Sequence, residues 1–212
     1  MSDILASCGL EKCEVGRTPS DMRRVVIVVA VLNLAYFGVE FSVALAIGSV
    51  SLFADSIDFL EDASVNLLIA AALDWTATAR AHVGMALAGI LLIPGLATLW
   101  AVWQKIGAPL PPPALPLSLT GAGALAINLS CAFMLARFRA HPGSLTRAAF
   151  LSARNDSVAN IAIIATGCVT AFTRSAWPDL AVGLGIAAMN IDAAREVWRA
   201  AREEYQVAGS DR

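Results

Sequence analysis

Asp55, Asp58, Glu61 and Asp62 set four carboxylates within eight residues of a chain that is 58% hydrophobic. An ionised carboxylate at the centre of a membrane helix costs about 2.5–3.5 kcal/mol on insertion scales, so such a cluster is retained where it faces a polar cavity and binds something positive. On a helix Asp58 and Asp62 stack one turn apart on one face, and Asn66 extends the same stripe. Two acids so placed can share a cation. The plain alternative is a set of interfacial acids at a helix start, where the dipole favours negative charge. That alternative fits Asp55 better than Asp58 or Asp62, which lie deeper in the apolar run.

A further acid, Asp156, sits in the apolar stretch that follows Ser152-Ala153-Arg154-Asn155. At a rise of 1.5 Å per residue, Asp62 lies about 15 Å from the outer end of its span and Asp156 about 12 Å from the inner end of its own. In a hydrocarbon core about 30 Å thick these depths nearly coincide. Asp58, Asp62 and Asp156 can therefore build one site, with Ser152 one turn before Asp156 and Asn160 one turn after it. An ion pair of Asp156 with Arg154 or a neighbouring helix is the competing reading.

The elements that must position these acids follow from composition. The chain has 212 residues, only 15% of them charged, and a mean hydropathy of +0.67. About a quarter charged is usual for soluble domains, so the composition excludes a soluble class and indicates an all-α, polytopic membrane protein. Six spans are expected at Val25–Ile47, Leu52–Leu73, His82–Trp103, Ala114–Ala136, Ala148–Phe172 and Leu180–Trp198. A hydropathy window demotes the second because of its acids. Keeping it gives an even number of crossings with both termini cytoplasmic, and then all the Lys and Arg residues except Lys105 and Arg174 fall on or near the cytoplasmic side. Arg23-Arg24 and the run from Val25 imitate a signal peptide, but the run is too long and contains Asn33, Tyr36 and Glu40. The expected organisation is a cytoplasmic leader over 1–24, a six-helix transmembrane domain over 25–199 and a short cytoplasmic tail over 200–212. Pro94-Gly95 is expected to bend the third span, and Gly121, Gly123, Gly183 and Gly185 to admit close helix approach.

Other residues offer weaker chemistry. Cys8 and Cys13 in the leader are two thiols five apart, a nonspecific signal for a soft metal. Cys131 and Cys168 read as small packing residues, and His82 and His141 as solvated or capping residues. Asn33, Glu40, Asn128 and Asp192 are expected to be buried polar groups, the asparagines joining helices and the acids serving as hydrogen-bond partners or proton carriers.

The segment from Ser49 to Asp62, with Asn33 and Glu40 before it and Asn155-Asp156-Ser157 and Trp177-Pro178-Asp179 after it, resembles the cation diffusion facilitator family. The resemblance covers all six spans. It implies a six-helix bundle that works as a homodimer in the lipid bilayer, taken here as a bacterial inner membrane, and exports divalent transition metals in exchange for protons. No catalytic cofactor, enzyme activity or nucleic-acid partner is implied. The family's site joins a His/Asp-x-x-x-Asp on the second helix to a His-x-x-x-Asp or Asp-x-x-x-Asp on the fifth, which Asp58, Asp62 and Asp156 match. Ser152 stands where the family has a stronger ligand, so Asn155, Asn160 or water is expected to complete the set, with Asn66 and Asp55 as outlying candidates. Zinc ranks first on the family's pattern, although a carboxylate and hydroxyl site suits manganese or iron comparatively better than zinc's preferred nitrogen and sulfur. Typical members carry a cytoplasmic metal-binding domain after the sixth helix. Here few residues follow Trp198, so a dimer held by membrane helices is expected. Two other classes remain open on the residues alone: an intramembrane aspartyl protease using Asp62 and Asp156, and a membrane metal sensor or assembly subunit that does not transport.

Overall fold

The computed structural model describes residues 19–72, 77–107, 109–136 and 144–210, and within them the chain is helical, with no strand. Six helices follow in order: α1 Pro19–Ile47, α2 Val50–Ala72, α3 Ala77–Gly107, α4 Ala114–Ala136, α5 Ser144–Thr173 and α6 Trp177–Ser210. Each corresponds to one of the expected spans, although Leu73, the expected end of the second, lies outside the described residues, and only α4 has both expected ends. α1 starts earlier, at Pro19, and α6 continues past Trp198 to Ser210. α3 is continuous through Pro94-Gly95.

α1, α4 and α5 contain stretches long and apolar enough to cross a membrane. α2 is not among them, as its acids require, and among the described residues neither are α3 and α6. In α4 the buried residues Leu117, Gly121, Ala124, Asn128, Cys131 and Leu135 recur at three- and four-residue intervals, while Leu115, Leu119, Leu129 and Phe133 are exposed. The polar Asn128 is inside and large apolar groups are outside. That inversion suits a bundle whose solvent is lipid.

Two of the three main helix pairings are hairpins of the chain and the third joins helices far apart in sequence. α1 packs mainly on α2, α4 on α5, and α3 on α6, while α2 touches all five other helices. The α1–α2 hairpin turns at Gly48, whose φ of 65° is a left-handed conformation that glycine adopts without strain. At its open end Arg23 Nε donates to the Ala70 carbonyl at 3.0 Å, satisfying a C-terminal acceptor of α2. α4 meets α1 where Tyr36 Oη donates to Thr120 O at 2.6 Å, and a Cβ at Gly123 would lie 2.3 Å from that hydroxyl. Gly121 and Gly183 are likewise places where a side chain would collide, with Ile163 and Val50 respectively. Gly185 is not: nothing lies within 4 Å of a Cβ there. Gly167 makes the tightest approach of all, since a Cβ would fall 2.0 Å from Ser118 Oγ on α4.

Candidate metal site

Asp55 and Asp62 are buried and Asp58 is partly exposed, all on α2. Asp55 is no interfacial cap, because it lies beyond the first turn, fully buried, and its Oδ2 accepts from Asn160 Nδ2 of α5 at 2.6 Å. Asn160 Oδ1 in turn accepts from Asn128 Nδ2 of α4 at 3.0 Å. This chain ties three helices together, and it supports the expectation that Asn128 joins helices.

The Asn160–Asp55 bond also fixes the register of α2 against α5. α1 runs antiparallel to both α2 and α4, and α4 antiparallel to α5, so α2 and α5 are antiparallel. Moving along α2 from Asp55 to Asp58 therefore matches moving back along α5 from Asn160 to about Asp156. One further turn brings Asp62 level with position 152. The electrostatics agree: among its charged neighbours Asp58 interacts with Asp156 across the interface as well as with Asp55, Glu61 and Asp62 on its own helix. Asn66 Nδ2 donates to the Asp62 backbone carbonyl at 2.8 Å, which holds the amide against its own helix. The side chains of Ser152 and Asn155 lie outside the described residues, as do Cys8, Cys13 and His141. Among the described residues no three His, Cys, Asp or Glu side chains already enclose an ion-sized centre.

A family model described as the cation efflux transmembrane domain matches residues 26–204. The chain belongs to the cation diffusion facilitator family. Members of this family transport divalent cations and are not enzymes, so the chain is a multi-pass membrane protein of the cation-transporter class. A search of curated proteins finds no match.

Two further expectations fail in the structure. Asp192 is exposed, with 82% of its side chain accessible, and its only described partner is Arg195 one turn along, at 3.4 Å. Its helix continues beyond the apolar part of the span, so the acid faces outward instead of into the bundle. Cys168 is exposed, whereas Cys131 is buried with Sγ 3.9 Å from Asn33 Oδ1. Cys168 sits beside Val169 on the outward face of α5, a side that apolarity alone does not distinguish from the inner one.

Sequence reasoning missed the role of Asp179. Ser49 begins α2 as its N-cap, with Oγ accepting from Leu52 N at 3.2 Å. Asp179, from the start of α6, supplies a second cap from another helix. Its carboxylate accepts from Val50 N at 2.9 Å, Ser51 N at 3.1 Å and both serine hydroxyls at 2.7 Å. Lys105, from the end of α3, donates to Asp179 and to the Gly48 carbonyl. The α3–α6 pair is thus fastened to the first turn of the acid-bearing helix. Burial alone would raise the Asp179 carboxyl, but the Lys105 hydrogen bond and charge and the two serine hydroxyls outweigh it and hold the group below the ordinary carboxylate range.

Proposed function

We propose that the chain moves a divalent transition-metal ion, zinc or a related ion such as cobalt, cadmium, manganese or iron, out of the cytoplasm in exchange for protons. Asp58, Asp62 and Asp156 serve as the ligands, with Ser152 and Asn155 at the same level of α5. The observation that supports this reading is the α2–α5 register fixed by Asn160 and Asp55, which brings Asp58 about level with Asp156. Acids on two antiparallel helices face an ion from opposite sides, and a relative movement of those helices changes the side to which it is open. All six helices cross the membrane in this reading, both termini are cytoplasmic and the working unit is a homodimer.

Metal ligands bind as carboxylates, so each ion taken up displaces protons and each proton returned favours release. That competition is the elementary step of exchange. An aspartyl protease would need only two acids, and the family is one of transporters.

Flux into proteoliposomes tests the proposal. The wild-type chain is expected to carry zinc or one of the related ions, and Asp62→Ala or Asp156→Ala to abolish the flux. A variant that still transports at the wild-type rate removes its residue from the site, and a wild type that binds metal without moving it points to a sensor.

A further inference from the structure

Glu40 is a buried acid that the transport site does not use. It lies on α1 with 0% exposure, as does Asp55 on α2, and their carboxyl groups lie within hydrogen-bonding reach of each other. No donor among the described residues reaches Glu40 Oε1, Glu40 Oε2 or Asp55 Oδ1. The remaining oxygen, Asp55 Oδ2, is held by Asn160 Nδ2. Asn160 cannot turn its carbonyl towards the acids without losing the Asn128 bond to its Oδ1, so its orientation is fixed as a donor to Asp55 alone. Three of the four carboxylate oxygens are thus buried without a donor among the described residues.

We propose that Glu40 and Asp55 bind a second cation, a hard divalent metal ion bridged between the two carboxylates, at a position separate from Asp58, Asp62 and Asp156. Paired carboxylates without donors repel, and a doubly charged ion converts that repulsion into attraction while using the oxygens left without partners. The donor set is oxygen only, which suits manganese, magnesium or calcium better than ions that favour nitrogen or sulfur. Water completes the shell of such ions. Asp55 stands about one turn nearer the Gly48 turn than Asp58 does. With that turn outside, as the transport reading has it, the second ion sits between the transport site and the outer surface. Only this role as a station on the exit route rests on the transport reading; the binding does not.

The test is Mn2+ binding to the full chain in nanodiscs, with free Mn2+ followed by electron paramagnetic resonance during equilibrium dialysis. Wild type is expected to bind two ions per chain. Glu40→Gln and Asp55→Asn should each lose one ion and keep the other, the retained ion showing that the variant is folded. Glu40→Asp keeps a carboxylate and should retain both ions, one at reduced affinity. The Asp62→Asn/Asp156→Asn double variant should keep the Glu40–Asp55 ion. A Glu40→Gln chain that binds as many ions as the wild type overturns the proposal and leaves a proton shared between the acids. Two ions retained by the double variant, with one lost in Glu40→Gln, support the Glu40–Asp55 site and count against the transport-site reading alone.

Discussion

Lys105 Nζ lies 2.8 Å from Asp179 Oδ2, with only 11% of the lysine side chain and none of the aspartate side chain exposed. The pair joins the last turn of α3 to the first turn of α6, and through Ser49, Val50 and Ser51 it holds the start of α2. Helix α2 carries the acids, so its axial position is set from both ends: by Asp179 at its N-terminus and by Arg23 on the Ala70 carbonyl near its C-terminus. The two amide donors at the start of α2 have no partner within their own helix, and a carboxylate is the group the dipole favours there.

Removing Asp179 leaves a buried lysine and two uncapped amides together. Asp179→Ala is therefore expected to destabilise the chain by roughly 3–5 kcal/mol, the usual cost of breaking one side of a buried pair. Thermal unfolding in detergent measures it. A loss below about 1 kcal/mol, the scale of an exposed pair, would show that water replaces the carboxylate.

The same residue gives the chain an acid limit. Because the folded Asp179 carboxyl is held below its ordinary value, its stabilisation is fully present above the unfolded value of about 3.9 and is lost as pH falls through the lowered folded one. Melting points of wild type and Asp179→Asn should accordingly differ by a constant amount from pH 7 down to about 5 and converge below about 4. A gap that persists unchanged to pH 3 would mean that the carboxyl is not the group responsible.

The sequence made the helices legible because each apolar run is near the length of a bilayer, and it made the acid stripe on α2 legible because four residues bring side chains to one face. It did not reveal which way the ends of the chain's helices meet. Lys105 reads as a stray outer charge and Asp179 as the end of the Trp177-Pro178-Asp179 segment; only packing brings them together across a long separation in sequence. Asp55 shows the same limit. Its position near a helix start suggests a cap, but the tertiary bond to Asn160 decides its role. Asp192 failed for the opposite reason, since an acid near the end of a span looks buried in a hydropathy profile while its helix carries it into the open.

Ser152 gives a prediction about selectivity. The α2–α5 register sets position 152 level with Asp62, one turn from Asp156 on its own helix. Ser152→His adds an imidazole there, and nitrogen ligands favour zinc over manganese. Competition fluxes of zinc against manganese should shift towards zinc on the order of tenfold, equivalent to about 1.4 kcal/mol. An unchanged ratio would place residue 152 away from the ion.

Protons provide the last test. Asp58, Asp62 and Asp156 bind a metal only as carboxylates, so a proton held by any of them must leave when the ion enters. The sign follows directly: lowering the pH raises the concentration of the competitor, so apparent metal affinity must weaken towards acid. Linkage ties this to a second observable, because a ligand whose affinity falls with added protons must release protons when it binds. Calorimetry of zinc binding at one pH in buffers of different ionisation enthalpy should therefore give binding enthalpies that become more exothermic linearly with that enthalpy, the magnitude of the slope being the number of protons released. An imposed pH gradient, acid outside, should then drive zinc efflux from vesicles in which the chain is oriented as in the cell, and reversing the gradient should reverse the flux. Heats independent of buffer together with flux indifferent to the gradient would leave a uniporter, in which the acids attract the ion but exchange nothing for it.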